Sequence, residues 1–278
     1  MVDVAFFVLC VAALVLILAL ACYPRWLAWR RQQLQSHAFP ARWRKVLQRR
    51  VPLVRRLPVP LQLQLKKYMQ VFIAEKSFIG CAGLVITEEM RVVIASQACL
   101  LLLNRPMDYF ENVRQILVYP GAFAVTRVST DSAGVLQERR MALAGESWAQ
   151  GQIILSWQDT LEGAADPSDG RNVVIHEFAH QLDQENGAAH GAPPPALGDT
   201  RHDPRRWSRV FGAAFAQLQK QVEAGEVGLL NHYGAQDPAE FFAVVSEVFF
   251  EQGPLLAQHY PELYVEMRGY YKLDPAGW

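Results

Sequence analysis

An uncharged apolar run, VAFFVLCVAALVLILALAC, occupies residues 4–22. A helix of this length crosses the hydrocarbon core of a bilayer, and the run is too hydrophobic for the core helix of a globular domain. Only Asp3 and two uncharged residues precede it, whereas a signal peptide has basic residues before its apolar stretch. A lipoprotein-type signal ending near Cys22 is the alternative, but Ala19 stands where an aliphatic residue is expected. We therefore predict a transmembrane anchor over residues 1–24.

The charges that follow this run predict its orientation. Twelve Lys and Arg residues and no acidic residue lie between Asp3 and Glu75, whereas the chain from Glu75 onward carries 15 basic and 26 acidic residues. Because basic residues accumulate on the cytoplasmic side of a span, we expect the N-terminus outside and everything after Tyr23 in the cytoplasm. Trp26 and Trp29 then lie where aromatic side chains anchor a helix at the membrane surface.

Residues 25–60 form a basic segment that is interrupted by Pro52, Pro58 and Pro60. Basic and aromatic residues together are compatible with nucleic-acid binding, but beside a membrane span the simpler partner is the anionic lipid surface. We expect contact with membrane lipid and no direct binding of nucleic acid. The prolines favour a juxtamembrane linker that leads into a globular domain over residues 61–278.

The remaining periodicity indicates a domain of helices with a few short strands. Helices are predicted over residues 61–74, 88–104, 238–250 and 254–271, and a further helix carries the core stripe Trp207, Phe211, Phe215, Leu218 and Val222. Strands are predicted over residues 115–119, 122–128 and 152–157. An extended peptide can pair with an exposed strand edge, and the run GQIILSW over residues 151–157 is the candidate for that edge.

Within the run VVIHEFAHQLDQEN, His176, Glu177 and His180 form an H-E-x-x-H motif. Residues four apart on an α-helix lie one above the other, so the two imidazoles can point at a single metal ion. Glu177, about a hundred degrees round the helix from His176, is then placed to hold a water molecule rather than the metal. This arrangement is typical of zinc hydrolases.

The surroundings of the motif favour a buried helix over a chance match. Val174, Phe178 and Leu182 recur every four residues and give the helix an apolar face. Candidate N-caps are Asp166, Ser168 and Asp169, and Asn186-Gly187 is a candidate stop signal. Two histidines on such a helix are costly to bury unless they bind something.

A catalytic zinc ion usually takes three protein ligands and leaves a fourth position open, so two histidines are not enough. The longer metzincin pattern H-E-x-x-H-x-x-G-x-x-H requires Gly and His where this sequence has Asp183 and Asn186, and that class is excluded. His190 and His202 lie in a Gly- and Pro-rich stretch and are more typical of surface residues.

A glutamate on a later helix is the remaining source of the third ligand. Asp237 is a candidate N-cap and Pro238 fits the first helical position, so a helix is predicted to begin there. Glu240 is the best placed because it lies one turn from that start. Glu247, further along the same helix, competes with it.

Several separated segments together resemble the Mlc titration factor A proteins, also described as glucose-regulated zinc metallopeptidases. The resemblance extends over roughly residues 38–274. It rests on FIG from Phe78, ACLLLLN from Ala98, ILVYPGAF from Ile116, GESW from Gly145, LSW from Leu155, NVVIHEFAHQLDQENG from Asn172 and YGAQDPAEFFAVVSEVFF from Tyr233. Such a set is not expected by coincidence.

The resemblance implies one Zn²⁺ per chain, held by His176, His180 and Glu240, with Glu177 as the catalytic base and Tyr233 close to the metal. We expect an α+β, zincin-like metallopeptidase domain, mainly helical with a small sheet, preceded by one transmembrane helix. Its substrate would be a peptide or protein, and aminopeptidase activity is one form of this chemistry. The family's better-known members look soluble, so the N-terminal span departs from their pattern.

The chemistry of these residues agrees with a peptidase of the bacterial inner membrane whose catalytic domain is cytoplasmic. Glu177 can take a proton from the attacking water, and the Tyr233 hydroxyl can donate to the oxyanion that forms. Asp183 either orients an imidazole or is an ordinary acid on the helix surface. The alternative function is a regulatory zinc protein that sequesters a transcriptional repressor or another cytoplasmic partner, as the family's name implies.

Overall fold

The computed structural model describes residues 2–105, 109–130, 136–143, 145–148, 151–195 and 203–278. Its contacts divide the chain into two compact units, Met1–Phe39 and Pro40–Trp278. The first unit is built on helix α1 (Val2–Ser36), which exposes its apolar side chains along most of its length. This helix is long and apolar enough to cross a membrane, a property that membrane anchors share with signal sequences.

The second unit is mostly helical and contains a small sheet. Its helices are α2 (Ala41–Arg50), α3 (Leu53–Arg56), α4 (Val59–Glu75), α5 (Glu88–Ala98), α6 (Trp157–Ala165), α7 (Val173–Asp183), α8 (Pro204–Glu223), α9 (Pro238–Glu251), α10 (Gly253–His259) and α11 (Pro261–Tyr271). Short 3₁₀ segments lie at Cys99–Leu102, His232–Ala235 and Pro275–Gly277. The strands are β1 (Ser77–Gly80), β2 (Gln115–Tyr119), β3 (Phe123–Thr130), β4 (Leu136–Leu143), β5 (Gly145–Trp148) and β6 (Gln152–Ser156).

The main sheet has the strand order β1-β2-β6-β5, and β3 and β4 form a separate antiparallel hairpin. Strands β1, β2 and β6 are parallel, while β5 runs antiparallel to β6. The prediction that residues 151–157 provide the sheet edge is therefore wrong. Strand β6 lies between β2 and β5, and its run of buried residues is typical of an interior strand. The edge strands are β1 and β5, and the periodicity predicted neither of them.

Helices α2 and α3 belong to the second unit, whereas the sequence analysis placed them in a linker that ended before residue 61. Leu47 and Leu53 are buried, and α2 packs against α5. Arg49 and Arg50 form ion pairs with Glu89 at 2.5 and 2.8 Å. The sequence predicts lipid contact for these arginines, because their acidic partner lies on a helix that is distant in the sequence.

Several predicted elements match the structure in kind but differ in their ends. The strand at residues 115–119 is confirmed as β2. The helix predicted over residues 88–104 becomes α5 followed by a 3₁₀ turn. The single helix predicted over residues 254–271 is two helices, because Pro261 cannot continue α10 and instead begins α11.

Helices α7 and α9 pack against each other in the centre of the second unit, and α7 also contacts β5. Phe178 on α7 packs edge-on against Phe110 with ring centroids 4.7 Å apart and lies 5.7 Å from the ring of Phe72. Every residue of α9 from Phe241 to Glu251 is buried. These buried faces fix the two helices so that polar side chains on both can meet at one end of the core.

Candidate metal centre

Helix α7 begins at a single capping residue, Asn172, whose side-chain oxygen accepts a hydrogen bond from the amide of Ile175 at 3.1 Å. The predicted caps are wrong. Asp166 and Asp169 instead accept hydrogen bonds within the turn before the helix, from the amides of Ser168 and Arg171. The helix ends at Asp183, before the predicted stop at Asn186-Gly187.

The two histidines of the motif project from the same side of α7. Their ring centroids are 4.9 Å apart and the rings are nearly perpendicular. Glu240 reaches them from the first turn of α9, whose predicted start is confirmed. There the Asp237 side chain accepts hydrogen bonds from the amides of Ala239 and Glu240, both at 2.9 Å.

The donor atoms of His176, His180 and Glu240 converge on one point. Glu240 Oε2 lies 3.0 Å from His176 Nε2 and 3.4 Å from His180 Nε2, and the three ligand atoms lie within 4.8 Å of one another. Tetrahedral zinc with ligands at about 2.0–2.1 Å requires donor atoms roughly 3.3 Å apart. The residues present therefore fit a small divalent cation with nitrogen and oxygen ligands.

Glu247 lies on the opposite side of the His176 ring from Glu240. Its Oε1 is 2.7 Å from His176 Nδ1, and its Oε2 accepts a hydrogen bond from the backbone amide of Asn172. A carboxylate on Nδ1 orients the ring and leaves Nε2 for the metal. The structure thus places Glu247, the competitor for third ligand, behind the imidazole rather than among the converging donor atoms.

Asn172 connects this carboxylate to a second buried one. Its side-chain nitrogen donates to Glu251 Oε1 at 2.8 Å, while its backbone amide donates to Glu247. Burial, reinforced by the nearby charges of Glu247 and Asp169, raises the pKa of Glu251 to about 8, although the hydrogen bond from Asn172 opposes that rise. Asn172 therefore caps α7 and also ties it to α9.

Glu177 lies beside the converging donors and lines the same cavity of about 170 Å³. The backbone of β5 passes it closely. A Cβ atom at Gly145 would lie 2.5 Å from Glu177 Oε1 and 2.7 Å from Glu177 Cγ. Only glycine leaves room for the carboxylate at this point, so β5 can pass this close to Glu177 because residue 145 has no side chain.

Burial and neighbouring charges shift the pKa values of the groups at this site in opposite directions. Burial raises the pKa of Glu177 to about 7, and the positive character of His176 and His180 limits the rise. Burial lowers the pKa of His176, but hydrogen bonds to Glu240 and Glu247 outweigh it and leave that pKa well above its ordinary value. Burial raises the pKa of Glu240, but hydrogen bonds to the two histidines hold it well below its usual range. A cation that binds these ligands would displace protons from them, so metal binding should depend on pH.

Tyr233 lines the cavity from the 3₁₀ segment His232–Ala235, and its ring centroid lies 5.9 Å from that of His176. The segment begins where the Asn231 side chain accepts a hydrogen bond from the Tyr233 amide at 2.9 Å. The structure thus brings the ring of Tyr233 to the wall of the cavity.

Asp183 does not orient an imidazole of the cluster. It is fully buried, and its Oδ2 accepts hydrogen bonds from the amides of His190 and Gly191, each at 2.7 Å. His190 itself pairs with Asp183 at 3.3 Å and exposes about half of its side chain, 54%, so it does not join the donors. His202 lies outside the described residues. Asp183 instead anchors the loop that follows α7.

Three residues of the site were missed or misassigned by sequence reasoning. Gly145 enters the sequence prediction only as part of the GESW segment, because a close approach between a strand and a helix leaves no local signal in the sequence. Asn172 did carry a signal, since Asn directly before an apolar helix is a preferred N-cap. Glu247 was weighed only as a ligand, because spacing along α9 does not show which side of an imidazole a carboxylate meets.

Relatives match this chain over most of its length. A protein of Synechocystis sp. described as uncharacterized is 41% identical over 254 residues, covering 91% of each chain. Mlc titration factor A of Serratia proteamaculans is 35% identical over 250 residues, covering 89% of this chain and 92% of the relative. Mlc titration factor A of Yersinia pestis is 32% identical over 254 residues, covering 90% of each.

The sequence profile of the glucose-regulated metallo-peptidase M90 family matches residues 26–272. This match includes the cluster of His176, His180 and Glu240, and it begins after the apolar run. A metallopeptidase family implies a metal ion, for which this His/His/Glu group is a suitable set of ligands. The family resemblance found in the sequence is confirmed, and the chain belongs to the glucose-regulated metallo-peptidase M90 family.

Proposed function

We propose that this protein is a zinc-dependent peptidase with a zincin-like catalytic domain. The observation that carries the proposal is the convergence of His176, His180 and Glu240 on one point beside the buried carboxylate of Glu177. Two imidazoles and one carboxylate are a ligand set of catalytic zinc, which leaves one coordination position open. When bound, Zn²⁺ would polarise the carbonyl of a peptide bond and lower the pKa of an adjacent water to roughly 7.

Glu177 is assigned the role of general base. Burial raises the pKa of its carboxyl and so makes it a better proton acceptor than an exposed glutamate. It takes a proton from the attacking water at a carboxylate oxygen and delivers it to the departing amine. The tight passage of β5 at Gly145 restricts the carboxylate to this position.

Tyr233 is assigned to the carbonyl oxygen of the substrate. Its ring lies next to that of His176 at the wall of the cavity, so a hydroxyl there can donate to the negative charge that develops during attack. Such a donor typically contributes about 2.7–4 kcal/mol when well placed. Tyr233→Phe should therefore lower kcat and leave the zinc content unchanged.

The test uses the full chain purified in detergent or nanodiscs. Zinc per chain is measured by mass spectrometry, and hydrolysis of a peptide library is followed by identification of the products. We expect about one zinc per chain and cleavage that falls roughly 10²–10⁴-fold in Glu177→Gln, because that change removes the base but no ligand.

Glu162→Gln is the matched control, since that glutamate lies on α6 away from the cavity lining. It should retain both zinc and activity. A wild-type chain that binds no zinc, or that binds zinc but cleaves nothing in the library, would contradict the proposal.

We also propose that α1 anchors the chain in the bacterial inner membrane with the second unit in the cytoplasm. The supports are the apolar length of α1 and the arginines after it. A reporter fused after Trp278 should be active only if it functions in the cytoplasm. Activity of a periplasm-dependent reporter at that position would overturn the orientation.

A second candidate function is sequestration of a transcriptional repressor or another cytoplasmic partner. The observation that favours it is the name Mlc titration factor A of two relatives. A pull-down with wild type and Glu177→Gln separates the two functions. Equal capture of a repressor by both forms, without any cleavage, would support sequestration, whereas a peptidase should retain its substrate better in the Glu177→Gln form.

A further inference from the structure

A larger polar cleft adjoins the cavity of the candidate metal centre. Its volume is about 560 Å³, against about 170 Å³ for the cavity that contains Glu177. The described lining of the cleft comprises Glu111, Asn112, Arg114, Gly151, Gln181, Gln184 and Gly187. Apart from the glycines these side chains are all polar, so the cleft offers hydrogen bonds rather than an apolar surface.

Helix α7 connects the two spaces. Gln184 lines both of them. Gln181 lies four residues after Glu177, and Gln184 lies four residues after His180, so the face of α7 that holds the motif continues into the cleft. Four helical residues rise about 6 Å, which equals roughly two residues of an extended peptide. A peptide cut beside Glu177 would thus place a neighbouring residue, about two positions from the cut bond, in the cleft.

Arg114 is the cationic side chain among the described residues that line this cleft, and its backbone is fixed by two hydrogen bonds. Its amide donates to the Gly151 carbonyl at 2.8 Å, and its own carbonyl accepts from the Ser77 amide at 3.1 Å, immediately before β2 begins. Among the described residues its guanidinium has no hydrogen-bond or ion-pair partner. A recognition group whose backbone is hydrogen-bonded at the start of a strand is positioned more accurately than one on a turn.

Glu111 also lines the cleft, but it lies in a turn that follows Tyr109 and Phe110, both with positive φ angles of 58° and 53°. Both Glu111 and Arg114 are exposed, but the backbone of Glu111 is not hydrogen-bonded next to a strand as that of Arg114 is. Since Arg114 is the better fixed of the two charges, it should dominate the selectivity of the cleft. Guanidinium also matches the geometry of a carboxylate with two parallel hydrogen bonds.

We propose that this cleft is a substrate subsite in which Arg114 binds a carboxylate, beside Gln184, whose side-chain oxygen accepts a hydrogen bond from the buried Gln181 at 3.3 Å. The carboxylate belongs to an Asp or Glu side chain, or to the chain end, about two residues from the cut bond. This inference rests on the proposed peptidase function and names the class of peptide that the same site selects.

The test measures binding separately from cleavage. The full chain with Glu177→Gln is titrated with acetylated, amidated hexaalanine peptides that carry a single Asp or Asn at each position in turn. Acetylated hexaalanine with a free C-terminus forms a second arm, which distinguishes a chain-end carboxylate from a side chain. We expect one carboxylate position to bind about tenfold more tightly than its uncharged counterpart, as is typical of a charge-assisted hydrogen bond.

Adding Arg114→Gln should remove that difference, whereas Arg114→Lys should retain part of it. Arg209→Gln is the control, since that arginine is exposed on α8 and does not line the cleft. Equal binding of carboxylate and uncharged peptides, or a difference that survives Arg114→Gln, would overturn the proposal. So would a preference for Lys-containing peptides that disappears in Glu111→Gln.

Hydrolysis by the wild-type chain separates this inference from the function on which it rests. Carboxylate-dependent binding through Arg114 without hydrolysis would contradict the peptidase and retain the binding site. Hydrolysis of acidic and neutral peptides at equal rates would retain the peptidase and contradict the subsite.

Discussion

Two carboxylates on α9 meet the same imidazole from opposite sides. Glu240 lies at the cavity, 3.0 Å from His176 Nε2, while Glu247 lies behind the ring, 2.7 Å from His176 Nδ1. Both side chains are similarly buried, with 13% and 10% exposed. Burial and distance therefore do not distinguish them.

Their other partners do distinguish them. Glu240 also approaches His180, so its carboxylate completes a set of donors that face one point. Glu247 is held by the backbone of Asn172, and among the described residues it contacts no histidine other than His176. A metal ligand is therefore recognised because several donor atoms converge on one point. A residue that orients a ligand is recognised because it contacts the far side of one imidazole and is itself held by the backbone.

The largest expected effect is that of Glu240→Ala. Removing one of three ligands should lower zinc content to background after dialysis and abolish hydrolysis, because two histidines alone do not hold a catalytic zinc. Zinc content measured by mass spectrometry, with folding checked by circular dichroism, tests this. Retention of zinc in this variant and its loss in Glu247→Ala would reverse the two roles.

Gly145→Ala tests whether the position of Glu177 in the cavity matters, and it changes no metal ligand. The new Cβ would displace the Glu177 carboxylate, and a misplacement of about 1 Å can cost on the order of 100-fold in rate. We expect kcat to fall by about that factor while zinc content is unchanged. Gly269→Ala, at a position with no nearby atom to obstruct a methyl group, is the control. Unchanged turnover in Gly145→Ala would show that Glu177 does not need its present position.

Glu247→Gln tests the side behind the ring. Loss of an outer carboxylate partner typically weakens metal binding by about 10–100-fold. We therefore expect zinc to remain bound at high free zinc but to be removed at lower chelator concentration than from wild type. Glu262→Gln, an exposed glutamate on α11, should not change the chelator titration. A titration identical to wild type would show that Glu247 does not support His176.

Glu251→Gln should have the smallest effect on zinc binding and turnover, and its effect on stability should depend on pH. Burial raises the pKa of this carboxyl from 4.5 to about 8, so the folded state keeps a proton that the unfolded chain releases. Stability from this group is thus fully present below about pH 4.5 and is lost as the pH rises to about 8, by up to about 1.4 kcal/mol per pH unit. Denaturant unfolding from pH 5 to pH 9 should show a shallower decline in Glu251→Gln. Parallel curves for the two proteins would contradict this assignment.

Local signals in the sequence predicted the parts of the site that depend on one helix. The H-E-x-x-H spacing and its apolar face predicted the buried helix α7, and Asp237-Pro238 predicted the start of α9. Both depend on interactions between residues within one or two turns of each other. Such interactions are visible in a single sequence.

Features that depend on contacts between distant segments were not predictable in this way. The edge position of β5 follows from its pairing with β6. Helix α2 belongs to the globular unit because its arginines form ion pairs with Glu89. The separate roles of Glu240 and Glu247 likewise depend on which side of the His176 ring each one reaches. Hydrophobic periodicity carries no information about any of these pairings.

The most direct test is the position of the metal in a crystal of the zinc-loaded full chain, located by anomalous diffraction at the zinc absorption edge. We expect one strong peak between His176 Nε2, His180 Nε2 and the Glu240 carboxylate. Glu247 should contact His176 Nδ1 and lie outside the coordination sphere. A peak bound by Glu247, or no peak at the two histidines, would contradict this expectation.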